Sequence, residues 1–254
     1  MRRVFITGAS TGIGEALARH YAGAETAVGL FARRRDLLEK LAAGLPGRTA
    51  IYPADITDIA AVGAAAQDFH ARFGAPDLVI ANAGISVGTH GDELADVEKL
   101  RRVLDVNVAG LAATLAAFAP MMRAGGGGTL CGIASVAGLR GIPGAGAYSA
   151  SKAAAISWLE SLRTELAGSG VSVVTICPGY IDTPMTQVNK YPMPFLITAE
   201  DAAARFARAI AAKRRIVVIP WQMAIVGGLL RNLPAWLYDR IAARAPRKPR
   251  DVSI

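Results

Sequence analysis

Cysteine is nearly absent from this chain: Cys131 and Cys177 are the only two among 254 residues. Two thiols, each inside an apolar run that reads as a buried strand, exclude a disulfide framework, and packing is the expected role of both. No metal-ligand set is expected either. No apolar leader precedes the first strand pattern, so the reducing cytoplasm is the expected compartment. Acidic residues are also in deficit, 20 against 28 basic ones, for a formal charge of +8. Such a balance suits an anionic partner: a phosphorylated cofactor, an acidic membrane surface or nucleic acid. The basic clusters at 33–35, 213–215 and 244–250 are small and come with no nucleic-acid-binding motif, so nucleic acid is not an expected partner. Repeats and long linkers are missing, which argues against several domains. The chain also lacks a membrane-span pattern at its C-terminal end. The uncharged run from Ile216 to Leu230 has 15 residues, whereas a span needs about 20, and Pro220 interrupts it.

What is present is apolar and periodic. Hydrophobic residues make up 52% of the chain and charged ones 19%, enough to fill the core of one large α/β domain. Short β-rich runs at 3–7, 26–31, 49–53, 77–82, 128–134, 172–178 and 216–220 alternate with alanine-rich helical patterns at 12–22, 33–43, 58–73, 97–122, 147–167 and 199–211. Several runs are continuously apolar, as strands covered on both faces are. The alternation predicts a single domain built on a doubly wound parallel sheet of about seven strands with helices on both faces. That domain covers residues 1–220. Residues 183–198, rich in Pro and Met, read as an irregular lid. Residues 221–254 read as an extension of the same domain, apolar helices first and a proline-rich basic stretch last.

The first strand runs into Thr7-Gly8-Ala9-Ser10-Thr11-Gly12-Ile13-Gly14 and then a helix. Three glycines at that point allow a tight turn and close approach to a pyrophosphate, and the helix N-terminus offers free N–H groups to the anion. The spacing resembles the short-chain dehydrogenase/reductase family, and the resemblance extends over about residues 3–220. It implies a Rossmann-type fold and nicotinamide-cofactor contacts from Gly8, Ser10, Gly12, Ile13 and Gly14. Where an NAD-binding chain usually carries an acid for the ribose hydroxyls, this one has Ala32-Arg33-Arg34. A carboxylate would repel a 2′-phosphate, while Arg33 and Arg34 attract it, so NADP(H) is the expected cofactor. Thr11 departs from relatives that carry a basic residue there. Asp55-Ile56 resembles the family's adenine-contacting pair, and Asn82-Ala83-Gly84 its turn beside the adenosine ribose.

Tyr148 and Lys152 stand four residues apart on a predicted helix and so share a face. A phenol with a pKa of about 10 is a poor base at neutral pH; a nearby ammonium lowers that value. Tyr148 is then able to exchange a proton with an alcohol or carbonyl oxygen. The resemblance adds Ser135 to hold the substrate oxygen and Asn107 to support a water linked to Lys152, completing the tetrad Asn107, Ser135, Tyr148, Lys152. It also implies cofactor contacts from Tyr148 and Lys152 themselves, and from Pro178, Gly179, Ile181 and Thr183.

The expected activity is therefore NADP(H)-dependent hydride transfer to a carbonyl or from a secondary alcohol. Met185, Tyr191, Met193, Phe195 and Leu196 in the lid suit an apolar substrate. The alternatives are a 3-oxoacyl-carrier-protein reductase, or a non-catalytic NADP sensor, which would need the glycines but neither Tyr148 nor Lys152. The family analogy implies a homodimer or homotetramer packed through the helices near 97–122 and 147–167. The C-terminal extension is expected to contact a second subunit or to rest on an anionic membrane surface.

Overall fold

Alternate side chains on the central strands face opposite ways, and each set has its own core. In β1 (Arg2–Thr7), Val4 and Ile6 join one apolar cluster and Phe5 the other. In β4 (Leu78–Ala81), Leu78 and Ile80 go with the first, Val79 and Ala81 with the second. A strand lined on both faces must be covered on both faces, which is why these runs look continuously apolar in sequence. The computed structural model describes residues 1–244 and 247–250. Residues 245, 246 and 251–254, part of the expected C-terminal extension, lie outside the described residues.

The other strands are β2 (Thr26–Ala32), β3 (Arg48–Pro53), β5 (Gly128–Ile133), β6 (Val171–Pro178) and β7 (Ile216–Ile219). All seven are parallel, in the order β3-β2-β1-β4-β5-β6-β7. The order reverses at β1, where Val4 lies opposite Val28 of β2 on one side and Leu78 of β4 on the other. Ligands of such sheets bind beyond the carboxyl ends of the strands at that reversal.

The first core is roofed by α1 (Gly12–Tyr21), α2 (Arg35–Ala43) and α8 (Ala199–Ala211); Leu17, Leu38 and Phe206 are fully buried there. The second is roofed by α3 (Ile59–Phe73), α5 (Gly110–Ala124) and α6 (Gly146–Glu165), and it is centred on an aromatic group of Phe5, Phe69 and Phe118. Burying side chains of this size stabilises the fold by about 1.5–3 kcal/mol each.

Two expected boundaries differ in ways that matter for the site. The helix expected at 97–122 is in three parts: α4 (Asp96–Leu104), a π-helical turn at Asp105–Ala109, and α5. Wider turns of this kind often mark functional sites, and this one carries Asn107. The run Asp96–Ala124 is long and apolar enough by composition to cross a membrane, and half of its most apolar window is buried in the protein. Second, α2 begins at Arg35, so Arg33 and Arg34 belong to the turn after β2 and not to the helix. The lid contains one short helix, α7 (Pro184–Gln187). Beyond β7 come α9 (Trp221–Asn232) and α10 (Ala235–Ala242), divided by Pro234. Proline has no N–H for a helix interior but fits at a helix start.

Candidate active site

The glycine turn is locked by steric necessity. Gly8 has φ +68°, and a Cβ there would stand 2.8 Å from Ala83 Cα. A Cβ on Gly14 would lie 2.1 Å from the Gly8 carbonyl oxygen. The start of α1 therefore packs on the turn itself, leaving its N–H groups open to the crevice. Asn82 ties the same corner together: its Nδ2 donates to the carbonyls of Thr7 at 3.0 Å and Gly8 at 3.3 Å, while its own N–H donates to Thr7 Oγ1. Its amide group is thus engaged with backbone, and its part in any ligand contact is chiefly to shape the turn.

Beyond the strand ends lies a cavity of about 430 Å³. Its walls hold Gly8, Ser10, Gly12 and Ile13 from the turn, Arg33 and Arg34 after β2, Asp55 and Ile56 after β3, and Asn82, Ala83 and Gly84 after β4. The same walls hold Ser135, Tyr148, Lys152, Pro178, Gly179 and Ile181, and Thr183, which lies against Gly12. Gly14 and Asn107 are not on the wall: Gly14 lies behind the turn, and Asn107 is fully buried behind Ile85. Met185 of the lid is on the wall as expected, and walls not singled out in the sequence include Ala54, Ile85, Val106 and Ile133, together with Thr186 of α7. Their apolar or small side chains carry no chemical signal that would have marked them.

At the basic end, Arg34 Nη2 donates to Ser10 Oγ at 3.2 Å and Thr11 Oγ1 at 3.1 Å. Thr11, which breaks the basic pattern of some relatives, here serves to hold an arginine. Arg33 stands 3.8 Å from Asp55, and both side chains are partly exposed. Burial opposes ionisation of Asp55, but hydrogen bonds from the Thr57 N–H and hydroxyl, with Arg33 and Arg102 nearby, hold its pKa below the usual carboxylate value.

At the other end, α6 brings half-buried Tyr148 and buried Lys152 onto the cavity wall, with Lys152 Nζ 5.7 Å from the Tyr148 ring centroid. Lys152 donates to the carbonyl of Ile133, the last residue of β5, at 2.8 Å and lies on the cavity wall. Burial lowers its pKa to about 8. Ser135 follows β5; its Oγ accepts from Ala137 N–H at 3.1 Å and lies 3.5 Å from the Pro178 carbonyl oxygen. Burial raises the pKa of Tyr148, and the hydrogen bond from Ser135 opposes that rise. The net shift is therefore upward, opposite to the lowering expected from the lysine. Desolvation weakens the ammonium as well as the phenolate, so Tyr148 is held as a neutral acid.

Asn107 is held by the backbone of Ile85 and by a serine hydroxyl. Its Oδ1 accepts from Ile85 N–H at 2.8 Å, and its Nδ2 donates to the Ile85 carbonyl and Ser151 Oγ, both at 2.9 Å. The π-helical turn aims this side chain at the segment after β4, which it pins. A Cβ on Gly84 would stand 3.2 Å from Asn107 Oδ1 and 3.6 Å from Lys152 Nζ, so glycine leaves that gap open.

Outside the cavity wall, the loop after Ser135 holds residues with no motif at all. Arg140 Nη1 donates to the carbonyls of Leu230, Arg231 and Leu233 at 2.9, 3.0 and 2.9 Å. Its guanidinium also lies 4.1 Å from the centroid of the Tyr238 ring, whose hydroxyl donates to the Gly141 carbonyl. The C-terminal helices are thereby clamped on the loop that follows Ser135. The basic tail, expected to be solvated or to meet a membrane, instead turns inward at Lys248 and Arg250.

A doubly wound sheet with a glycine turn at its switch point and a Tyr–Lys pair across the crevice defines a dinucleotide-binding oxidoreductase architecture. The short-chain dehydrogenase family model matches residues 2–192, and the chain belongs to that family of nicotinamide-dependent oxidoreductases. It is 38% identical over 250 residues to an uncharacterized oxidoreductase of Myxococcus xanthus, covering 96% of this chain and 97% of that one. It is 36% identical over 213 residues to 2-dehydro-3-deoxy-L-rhamnonate dehydrogenase (NAD(+)) of a Sphingomonas strain, covering 80% and 85%. Among solved structures it resembles the 3-ketoacyl-(acyl-carrier-protein) reductase of Brucella melitensis complexed with NADH, with TM-score 0.79 and 26% identity over 86% of this chain and 96% of that one. The L-sorbose reductase of Gluconobacter frateurii complexed with NADPH and L-sorbose has TM-score 0.77 and 25% identity, covering 86% and 94%.

Proposed function

We propose that this chain is an NADP(H)-dependent reductase of ketones, or dehydrogenase of secondary alcohols, with Tyr148 as the proton-transfer group. The observation that carries the proposal is one cavity with the glycine turn and two arginines at one end and half-buried Tyr148 with buried Lys152 and Ser135 at the other. The glycine turn fits a pyrophosphate, since added Cβ atoms would collide at Gly8 and Gly14, and the nearby guanidiniums fit a 2′-phosphate. The cofactor, when bound, supplies or accepts the hydride at the substrate carbon.

The chain's own residues handle the oxygen. Tyr148, kept neutral by burial, donates its proton to the carbonyl oxygen during reduction, and Ser135 donates a hydrogen bond to the same oxygen. The Lys152 ammonium stabilises the phenolate left behind and, through its free N–H bonds, holds the cofactor ribose. Asn107 acts as a positioning residue through Ile85. Met185 on the wall, with Phe195 and Leu196 exposed on the lid, favours a substrate with an apolar body. The assay is NADPH against NADH consumption across a panel of ketones, with Tyr148→Phe as control. A second reading, reduction of a 3-oxoacyl thioester, is favoured by the likeness to the Brucella reductase; acetoacetyl thioesters in the same panel distinguish it.

We further propose that the chain works in the cytoplasm as a homodimer or homotetramer. Both cysteines are free and buried, which suits a reducing compartment. Trp221, Ile225 and Leu229 form an exposed apolar stripe at four-residue intervals on α9, with Trp236 and Ile241 exposed on α10. Contiguous apolar surface of this kind marks a contact, with a second subunit or with an anionic bilayer.

A further inference from the structure

The last described residues, 247–250, run back beside the segment after β4 and the loop before α6. The Gly88 N–H donates to the Pro249 carbonyl at 3.0 Å, and Arg247 lies against Gly144. Arg250 pairs with Asp96 at 3.0 Å and with Glu93 at 3.8 Å. Asp96 is buried, and the His90 N–H, then Lys99 and Arg250, hold its carboxyl well below the usual range. The tail is therefore anchored on both sides of residue 248. There, Lys248 Nζ donates to the buried Ser86 Oγ at 2.8 Å and stands 6.0 Å from the Tyr148 ring centroid.

Two ammonium groups thus approach the Tyr148 ring, Lys152 at 5.7 Å and Lys248 at 6.0 Å. Lys152 is bound to a backbone carbonyl. Lys248 has a hydroxyl as its hydrogen-bond partner, and among the described residues no carboxylate lies within ion-pair distance of it. Burial lowers its pKa to about 8. A mostly desolvated cation that meets no counter-ion among the described residues is costly to maintain, and a ligand anion would relieve that cost. The Ser86 hydroxyl accepts from Lys248 and keeps its own proton for the same anion.

We propose that Lys248 and Ser86 form a carboxylate-binding subsite, and that the substrate is an oxo acid or hydroxy acid whose carboxylate is held beside the Tyr148 phenol. One ammonium and one hydroxyl match a monoanion better than a phosphate dianion, which calls for more donors. With the apolar lid, the subsite selects a chain that is apolar except for one charged group a few carbons from the reacting oxygen. The proposal rests on the reading of Tyr148 as the proton-transfer group.

The test is steady-state reduction of oxooctanoates, with the ketone at successive positions, each against its methyl ester. The full chain is compared with Lys248→Met, which keeps an apolar stem and removes the charge. The unmutated protein is expected to favour at least one acid over its ester by roughly 10- to 100-fold in kcat/KM, the yield of one charge-assisted contact. Lys248→Met is expected to erase that preference through a raised KM for the acid, with a much smaller loss on the ester, and Lys248→Arg to restore most of it. An equal loss on acid and ester in Lys248→Met, or no acid preference in the unmutated protein, overturns the proposal. If neither acids nor esters are consumed, the reading of the site as a carbonyl reductase fails separately. Calorimetric titration with octanoate then decides the subsite: saturable binding that Lys248→Met abolishes supports it, and no binding overturns it.

Discussion

Cofactor choice should hinge on two arginines that are held differently. Arg34 is braced by the Ser10 and Thr11 hydroxyls at 3.2 and 3.1 Å, so it loses little further freedom on meeting a phosphate. Arg33 has a 53% exposed side chain and a loose partner, Asp55, at 3.8 Å. A charge-assisted hydrogen bond contributes about 1.5–3 kcal/mol when well shielded, and exposure with solvent screening reduces that to about 1–2 kcal/mol per arginine. Each single alanine substitution should then raise the Kd for NADPH by roughly 5- to 30-fold. Arg34→Ala should cost more than Arg33→Ala, because Asp55 already competes for Arg33 and its carboxylate repels an incoming phosphate. NADH lacks the 2′-phosphate, so its Kd should barely move. Fluorescence titration of both cofactors with both variants measures this directly. The NADPH advantage should also shrink with added salt, since screening acts within about 8 Å at physiological ionic strength. Equal weakening of NADPH and NADH, or tighter NADH binding by the unmutated protein, would refute the reasoning.

Other outcomes follow from the same geometry. Tyr148→Phe should remove nearly all turnover while leaving the NADPH Kd close to that of the unmutated protein, because only the proton-transfer group is lost; retained turnover would sink that role. With an uncharged ketone, kcat/KM for reduction should fall as pH rises through about 8, where free-enzyme Lys152 loses its proton. Tyr148, whose pKa burial raises, is still protonated there, so Lys152→Arg should move the limb to higher pH even if it lowers the plateau; an unmoved limb would assign it elsewhere. Substituting Trp221→Glu together with Leu229→Glu should lower the sedimented mass if the α9 stripe joins subunits. Unchanged mass with lost flotation on phosphatidylserine vesicles would assign the stripe to a bilayer, and no change in either would refute both contacts.

The order of strands and helices was legible because each element carries its own periodic signal, and because strands covered on both faces read as unbroken apolar runs. The glycine turn and the Tyr148–Lys152 pair were legible for a similar reason: their chemistry depends on spacings of a few residues within one local element. Boundaries were less so. The break of the 97–122 pattern into α4, a π-helical turn and α5 adds no distinctive residue, yet it directs Asn107 to Ile85 and Ser151. The start of α2 at Arg35 likewise moved Arg33 and Arg34 into a turn, where Ser10 and Thr11 could reach one of them.

By itself the sequence determined the doubly wound sheet, the phosphate-cradling turn and the identities of the residues able to transfer a proton, since all of these arise from local pattern. Tertiary structure alone decided their electrostatic state and their company. Burial raises the Tyr148 pKa and lowers that of Lys152, because desolvation depends on what the whole fold packs around a group and not on its neighbours in sequence. Lys248 and Ser86 are 162 residues apart. No periodicity links them, and only the return of the tail over the segment after β4 brings that ammonium beside Tyr148.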